Sequence, residues 1–440
     1  MRRLGLLLIA MLVFTTACNS ASDTPRGESH SSSVKAVHLS KEPVELEFWS
    51  YYGGWEPIIE AFQKKYPNVT VRLKTFSNDS YVGPYHRAIA KGDTPDVMIA
   101  DSEEFGSFTG IAGLEDLFEF GAEKYRDDFS ESLWASNLSF DRKSLIGFPS
   151  GSSPLVTYYR ADIMEQHGFP SEPEELAEFM ESPENWIAIA RKLKERDSYI
   201  ASWPMDVIQL FDSTQGLFDY KMGFARDTAA SKKGVNIAKT MYNENLVSSN
   251  DVWTQSGIEG IRTGKFAMLY MGTWGANQIA QWAPGTTGLW RQTRLPFNLY
   301  GWANSSSFMI PSAADQKEWA YLFIEFCVTE WSMKGSGNGV PSYLPARAQQ
   351  VSDGKSNAFY GGQNLYALNE KLTDRMREYS ATPVDAQARA IWSKVINSGI
   401  ERNREAESII QEAEREIFTT LGKEIHILEN YLLQNHLIVQ

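Results

Sequence analysis

The amino-acid sequence predicts an α/β fold divided into more than one domain. Strand and helix patterns alternate with short connections along the first ordered stretch, which is typical of parallel strands in an open sheet. Hydrophobic residues make up 42% of the chain and charged residues 22%, so most of its length can bury a core. The 440 residues also exceed what one hydrophobic core usually covers. We therefore expect two or three folded units.

The first ordered stretch has a strand-helix-strand-helix-strand pattern. Apolar and polar residues alternate over 44–49 and 69–73, which predicts two strands. Apolar residues at helical spacing predict helices over 56–66 and 81–91. The apolar segment 95–100 then predicts a short buried strand. Ligands of such sheets settle at the carboxyl ends of the strands, so we look for a site just after the first and third strands.

Later elements follow the same two periodicities after a Gly/Ser/Pro-rich break over 149–154. Strand patterns occur at 155–159, 199–203, 266–271 and 307–310, and helical patterns occur at 174–180, 186–197, 232–243, 317–327 and from about 274. The last hundred residues are helical almost throughout and end in an amphipathic run over about 404–428. No internal repeat is present in the sequence.

The net charge of the chain disfavours some classes of binding partner. The chain has 42 Lys and Arg against 55 Asp and Glu, a formal net charge of −13. Such an acidic surface repels phosphate backbones and anionic lipids, which disfavours a nucleic-acid reader or a polybasic membrane binder. The two cysteines, Cys18 and Cys327, provide neither a disulfide framework nor a Cys-rich zinc site.

The N-terminus has the pattern of an export signal. Two arginines precede an apolar run and then small residues, which predicts a signal peptide over 1–17. The boundary resembles a bacterial lipobox, with Thr15 in place of the usual Leu, and this implies that Cys18 carries lipid. The alternative is an ordinary signal peptide with a cysteine there by chance. The polar, Ser-rich residues 18–41 read as a flexible tether, and no later segment approaches the ~20 apolar residues that cross a bilayer.

Signatures of catalysis are missing from the sequence. It contains no phosphate-binding Gly-rich loop with its Lys, no His-Glu-x-x-His pair and no Gly-x-Ser-x-Gly elbow. With six His and no close cluster of ligand residues, we expect neither a metal site nor a cofactor. The acidic pairs Glu103-Glu104 and Asp127-Asp128 could serve a glycosidase, but adjacent side chains on an ordered segment point apart, and we interpret them as surface charge.

Aromatic residues recur where predicted strands end. Five such positions are Tyr51, Tyr52, Trp55, Trp203 and Trp274, and Trp302 stands close to Asn304. A sugar ring stacks its C–H face on an aromatic ring while its hydroxyls bond to planar polar side chains. Each of these rings could equally belong to a core. Their shared location at strand ends indicates a carbohydrate site.

Several segments together resemble the family 1 extracellular solute-binding proteins, the maltose-binding-like receptors of ABC importers. The segments are WSYYGGWEPIIEAFQKKYPNVTVRL from Trp49, GDTPDVMIAD from Gly92, VTYYRADIMEQHGF from Val156, GKFAMLYMGTWGANQI from Gly264, GVPSYLPARAQ from Gly339 and IWSKVINSG from Ile391. Their order and spacing match the family over nearly all of the predicted mature chain. The segment from Gly264 is the most specific of them.

The resemblance implies a type II periplasmic-binding-protein fold, with two α/β lobes joined by a multi-segment hinge and a helical C-terminal region. Lobe 1 would comprise 42–155 plus 305–346, and lobe 2 would comprise 156–304 plus 347–440. The chain would cross between the lobes near 155–159, 304–308 and 345–347. The ligand would lie between the lobes, whose closure the transporter recognises.

The resemblance also implies roles for individual residues. Trp274 would stack on the ligand, and either Asp101 or Glu103 would accept hydrogen bonds from it. The remaining candidates are the first-lobe aromatics Tyr51, Tyr52 and Trp55, the pocket residues Ser152, Ser153 and Trp203, the late-helix residue Trp392, and Trp302, Asn304 and Tyr343, for which a hinge role competes with a ligand role.

The implied function is that of a non-enzymatic lipoprotein receptor. It would be a monomer on the outer face of the bacterial membrane, or in the periplasm, and would pass a carbohydrate, favoured as an oligosaccharide, to the permease subunits of an ABC transporter. Two alternatives remain open at this stage: a secreted carbohydrate-degrading hydrolase, and a receptor for a non-sugar solute in the same fold.

Replacing Cys18 with Ser should release the exported protein from the membrane. Serine cannot carry the thioether-linked lipid, and no other segment of the sequence provides a membrane-spanning stretch. Fractionation of cells that express wild type or Cys18→Ser, followed by immunoblotting, measures the shift to the medium or soluble periplasm. Tight membrane association of the variant would contradict the lipid anchor.

Overall fold

The structure is a computed structural model that describes residues 39, 41–334 and 340–438. The predicted signal peptide, Cys18 and nearly all of the predicted tether lie outside the described residues, as does Gly339. Within the described ranges, no helix combines the length and the apolar character that crossing a bilayer requires.

Strands and helices alternate along the described chain. The strands are β1 (Val44–Ser50), β2 (Val69–Thr75), β3 (Val97–Asp101), β4 (Phe148–Arg160), β5 (Met268–Gly272), β6 (Trp290–Thr293) and β7 (Trp302–Met309). The α-helices are α1 (Glu56–Lys65), α2 (Val82–Lys91), α3 (Ser102–Thr109), α4 (Glu131–Ser136), α5 (Ala161–Gln166), α6 (Pro173–Phe179), α7 (Pro183–Lys194), α8 (Pro204–Asp212), α9 (Ala229–Asn243), α10 (Gln255–Thr263), α11 (Gly275–Trp282), α12 (Lys317–Glu325), α13 (Leu344–Ser352), α14 (Leu365–Thr373), α15 (Asp385–Glu401) and α16 (Ala406–Gln434).

The first five elements confirm the strand-helix-strand-helix-strand prediction. β1 lies between β2 and β3 and is parallel to both, with Val44 opposite Val69 and Phe48 opposite Val97. The remaining strands join antiparallel, so the sheet order β2-β1-β3-β7-β4-β5, with β6 also beside β4, is mixed rather than wholly parallel. The parallel part carries β3 and its carboxyl end into the middle of the molecule.

Strand β4 begins well before the predicted strand at 155–159. The Gly/Ser/Pro-rich residues 149–154, predicted to be a break, lie inside β4 and pair with β7. Register shifts next to Gly151 and Pro154 accommodate them, since bulges tolerate Gly and Pro in a strand. The second half of β4 pairs with β5 and β6, so one strand connects two parts of the sheet.

The strand predicted at 199–203 is wrong. Tyr199 makes a single parallel bridge to Phe266, and the chain then enters α8. Helix α8 begins here because Pro204 occupies its first turn and the Asp206 carboxylate accepts the N–H groups of Ser202 and Trp203, at 2.7 and 3.1 Å. Trp203 is thereby fixed at a helix start instead of a strand end.

The described residues form two large hydrophobic cores. One contains side chains of β1, β2, β3 and α12, with Phe48 and Phe323 packed edge to face at 5.5 Å. The other contains side chains of α7, α8, α9, α15 and α16, around Trp186 and Trp392. The predicted lobe boundaries and the three crossings stay predictions. Strand β4 contributes Phe148 to the first core and Tyr159 to the second.

The helical C-terminal region confirms the predicted amphipathic run, which forms α16. Helices α15 and α16 pack closely where Gly399 meets Ile409. A Cβ atom on Gly399 would lie 2.6–2.7 Å from three side-chain atoms of Ile409. Such contacts are far inside van der Waals separation, so this crossing requires glycine.

Gly399→Ala should destabilise the protein by about 1–3 kcal/mol, because the added methyl group overpacks the α15–α16 contact. Gly422→Ala is the matched control, since Gly422 lies in α16 and nothing stands within 4 Å of the place that its new methyl group would take. That control should gain about 0.5–1 kcal/mol from alanine's helix propensity. Thermal or urea unfolding measures both changes, and equal gains in both variants would contradict the packing argument.

Candidate functional site

The described residues line a cleft of about 930 Å³. Its first wall comes from the segment before α2, from the carboxyl end of β3 and from the start of α3. Its second wall comes from α8, from the loop before α10, and from β5 and α15. The start of β7 and Tyr379 also line it. The cleft therefore lies against the β4–β7 pair, which contributes Leu155 and residues 302–304 to its lining.

Three tryptophan rings lie in the second wall: Trp203, Trp253 and Trp274. Trp203 is 43% exposed and Trp253 is 56% exposed, and both line the cleft. The rings of Trp253 and Trp274 have centroids 5.9 Å apart and planes inclined by 32°, while Trp282 packs edge to face on Trp253 at 5.0 Å. Exposed tryptophans are costly in water, and here they form apolar surface that a ring-shaped ligand can cover.

A buried carboxylate stands at the junction of the walls. Asp101 ends β3 and caps α3, its Oδ1 accepting the Glu103 N–H at 2.8 Å. Its Oδ2 accepts the Asn304 amide N–H at 2.9 Å and the Tyr51 hydroxyl at 3.3 Å. The amide oxygen of Asn304 accepts the Trp274 indole N–H at 3.2 Å. One hydrogen-bonded chain thus connects β3, β7 and the start of α11.

Burial raises the pKa of three carboxylates that line the cleft, those of Asp101, Asp206 and Asp212. Burial raises the pKa of Asp101 to about 6, and the charge of Glu103 adds to that effect. Burial likewise raises the pKa of Asp206 to about 6. The cleft's two arginines are already paired: Arg226 with Asp212 at 2.8 Å, and Arg389 with Glu103 at 3.5 Å. The lining therefore offers acidic acceptors and aromatic faces rather than spare positive charge.

Six of the thirteen residues singled out in the sequence line this cleft: Asp101, Glu103, Trp203, Trp274, Trp302 and Asn304. Both acidic alternatives are present, Asp101 buried and Glu103 exposed beside Arg389. Trp302 and Asn304 belong to β7 opposite Pro154 and Ser153 of β4, so they combine a place in the cleft with a place in the strand pair.

The three aromatic residues predicted after the first strand, Tyr51, Tyr52 and Trp55, do not line the cleft. Trp55 is buried against Phe48, and its indole N–H donates to Ser50 Oγ at 2.8 Å. Tyr52 packs on Trp55 at 5.0 Å. Tyr51 stacks on Tyr81 and donates to Asp101, so it supports the carboxylate without lining the cleft.

Four further candidates also lie outside the cleft lining. Ser152 donates to Glu378 at 2.8 Å, and Ser153 shares a hydrogen bond of 2.9 Å with Thr273. Tyr343 precedes α13 and packs on Phe129 at 6.0 Å. Trp392 is only 1% exposed, and its indole N–H donates to Asp212 at 2.8 Å. These side chains hold neighbouring parts of the fold together.

Sequence reasoning missed several residues of the cleft. Trp253 is the clearest, and its signal was a lone tryptophan in the polar stretch 248–255. Tyr379 and Arg389 come from the segment before α15 and from α15 itself, where no local pattern marks them. Among the described residues, no group of three His, Cys, Asp or Glu side chains is placed to hold a metal ion.

Comparison with known proteins identifies the family. The family model of the bacterial extracellular solute-binding proteins matches residues 50–333 of this chain. The chain belongs to this family. This confirms the resemblance found in the sequence, and the family is one of binding proteins.

Individual relatives agree with this assignment. The lactose-binding protein of Rhizobium radiobacter is 24% identical over 345 residues, which cover 70% of this chain and 75% of that protein. The galacto-N-biose-/lacto-N-biose I-binding protein of an ABC transporter from Bifidobacterium longum, solved with lacto-N-biose, superposes with a TM-score of 0.74 at 18% identity, covering 88% of this chain and 99% of that one.

A second solved structure has the same architecture. It is an ABC transporter associated binding protein from B. animalis subsp. lactis in complex with beta-1,6-galactobiose. It superposes with a TM-score of 0.72 at 18% identity and covers 86% of this chain and 98% of that one. The fold is therefore the predicted type II periplasmic-binding-protein fold.

Asp101 should make the folded protein less stable as the pH rises from about 4 to about 7. Burial raises its pKa to about 6 from an ordinary value of 3.8, so the folded protein holds this proton more tightly than the unfolded chain does. The resulting stability is complete below about pH 4 and is lost as the pH passes 6, a change of roughly 2–3 kcal/mol.

Urea unfolding measures the free energy of unfolding of wild type and Asp101→Asn at each pH in this range. The part of the difference between the two proteins that varies with pH is the contribution of the Asp101 proton. Asp93→Asn, which removes an exposed carboxylate, is the control for loss of charge. A difference between wild type and Asp101→Asn that stays constant with pH would show that the carboxyl titrates normally.

Proposed function

We propose that this protein is the substrate-binding component of an ABC importer, that it captures a carbohydrate between two lobes, and that it delivers the sugar unchanged to the permease. The family supports solute binding, and the relatives named above are described by the sugars they bind. An oligosaccharide is favoured over a monosaccharide, because Trp203, Trp253 and Trp274 offer more ring surface than one sugar residue covers.

The observation that carries the proposal is the pairing of exposed rings with fixed acceptors in one cleft. A pyranose needs an aromatic face for its C–H groups and planar polar groups for its hydroxyls. The Trp274 ring supplies such a face, and the Asn304–Asp101 pair bonded to its indole N–H supplies such groups. The hydrogen bonds among these three side chains hold ring and acceptors in a fixed relation before a ligand arrives.

Closure follows from the position of the cleft. A sugar that contacts residues on both walls binds the closed arrangement more tightly than the open one, and this difference shifts the equilibrium towards closure. The β4–β7 pair is suited to act as part of the hinge, since β4 contributes side chains to both cores and the register shifts next to Gly151 and Pro154 can absorb bending. The permease would recognise the closed form.

The sequence supports a place for the receptor outside the cell. A lipid on Cys18 would anchor the exported chain, and the tether up to about residue 41 would let the folded body stand off the membrane. The body would work as a monomer, and its acidic surface would limit adhesion to anionic lipid headgroups.

Titration with a panel of oligosaccharides should change the tryptophan fluorescence and produce no new reducing ends. Trp274→Ala should weaken binding by about 1–3 kcal/mol through lost stacking, while the melting temperature without ligand stays nearly unchanged. Trp331→Ala, a half-buried tryptophan outside the cleft lining, should bind as wild type does.

The other outcomes identify the alternatives. New reducing ends would identify a hydrolase. A response to non-sugar solutes with none to any glycan would identify a receptor of another specificity. A Trp274→Ala variant that fails to fold would show that this ring belongs to the core.

A further inference from the structure

The lining of the cleft carries an excess of negative charge. It contains seven carboxylates and two guanidinium groups, and the described lining residues include no lysine or histidine. Both guanidinium groups are already in ion pairs with two of the carboxylates. The other five carboxylates form no ion pair with a described residue: Asp79, Asp101, Glu104, Asp206 and Asp251. A concave surface lined by unpaired charge of one sign attracts ligands of the opposite sign.

Two of these carboxylates, those of Asp206 and Asp251, lie close together in the second wall. Asp206 caps the start of α8, and Asp251 lies in the loop before α10. The N–H groups of residues 248–249 donate to the carbonyls of residues 201–202, at 3.1 and 3.0 Å, and hold that loop against the segment before α8. The negative charge of Asp251 adds to the effect of burial in raising the pKa of Asp206. A cation between the two carboxylates would relieve this repulsion.

Each carboxylate of the Asp206–Asp251 pair keeps one oxygen available for a ligand. Asp206 Oδ2 accepts the N–H groups of Ser202 and Trp203, at 2.7 and 3.1 Å. Asp251 Oδ1 accepts the N–H group of Trp253 at 2.9 Å. The second oxygen of each carboxylate accepts no hydrogen bond from a described residue. Asp251 is exposed, and Asp206 Oδ1 is not sealed from solvent, so a group in the cleft can bond to both.

The exposed rings of Trp203 and Trp253 belong to the same part of the wall, since the pair caps their backbone N–H groups. The face of an indole ring attracts cations as well as C–H groups. A protonated amine brings positive charge and three N–H donors, whereas a hydroxyl group brings one donor and no charge. An amine therefore makes better use of two carboxylates and two rings than a hydroxyl group does.

We propose that the Asp206–Asp251 pair receives a protonated amino group of the ligand, so that the cleft selects amine-bearing, cationic glycans over neutral ones. This inference rests on the proposed function and names the substrate class of the same site. An anionic glycan would find no unpaired positive charge in the described lining.

Matched disaccharides test the selection. Cellobiose, chitobiose and N,N′-diacetylchitobiose share rings and linkage and carry hydroxyl, amine and acetamido groups at C2. Lactose, lactosamine and N-acetyllactosamine form a second series. Isothermal titration about one pH unit above the pKa of Asp206, which is about 6, keeps that carboxylate ionised. In whichever series binds, the amine should bind at least about tenfold more tightly than the other two members, and added salt should reduce this advantage by screening the charges.

Two variants connect the preference to the pair. Asp206→Asn and Asp251→Asn remove the charge, and each keeps an amide oxygen that can accept the backbone N–H groups. Each should reduce the preference for the amine to less than about threefold, and the neutral sugar should bind nearly as it does to wild type. Asp219→Asn is the matched control, since Asp219 accepts the N–H groups of Lys221 and Gly223 on a loop outside the cleft lining. It should leave the preference intact.

Each remaining result overturns the inference. Equal binding within a series would do so, as would tightest binding of the hydroxyl or acetamido form. A preference that survives in both pair variants would place the amine elsewhere, and an equal loss in Asp219→Asn would assign it to net charge alone. If neither pair variant folds, salt decides, because an advantage of the amine that does not change with salt is not electrostatic. Binding without preference leaves the proposed function standing, whereas no binding of any of the six sugars would overturn both.

Discussion

The buried carboxylate of Asp101 is the constraint on which the arrangement of the cleft depends. An ionised group at this depth is tolerated only when its oxygens accept hydrogen bonds, and here the donors come from three elements. Glu103 supplies a backbone N–H from α3, Tyr51 a hydroxyl from the β1 end and Asn304 an amide from β7. If any of these elements moved away, the buried carboxylate would lose a hydrogen bond, and the free-energy cost of that loss keeps the elements together.

The same network determines how the two walls are joined. Asn304 uses both ends of its amide, donating to Asp101 and accepting from Trp274, so the Trp274 ring of one wall is oriented by the carboxylate of the other. Neighbouring Trp302 lies on the same strand β7, which pairs with β4. The lining of the cleft and the β4–β7 pair therefore share the side chains of Trp302 and Asn304.

The sequence predicted the elements better than it predicted the site. Periodicity located β1 to β3 because each alternates or is wholly buried, and it failed at 199–203, where an apolar run belongs to a single bridge and a helix cap. Asp101 and Trp274 could be found because they directly follow buried strands. Arg389 could not, since it lies on a helix nearly three hundred residues after β3, and only the folded chain brings it to Glu103.

Aromatic residues show most clearly why residue type alone does not define a sugar site. Trp392 and Trp253 are residues of the same type in different surroundings. Trp392 is 1% exposed and its indole N–H donates to Asp212, whereas Trp253 is 56% exposed at the cleft. Burying Trp392 helps hold Asp212, which in turn fixes Arg226. The exposed ring keeps apolar surface in water, which costs roughly 25 cal/mol per Å² until something covers it. A ligand that stacks on Trp253 recovers that free energy. Only the aromatic surface that stays exposed after folding can therefore contribute to binding.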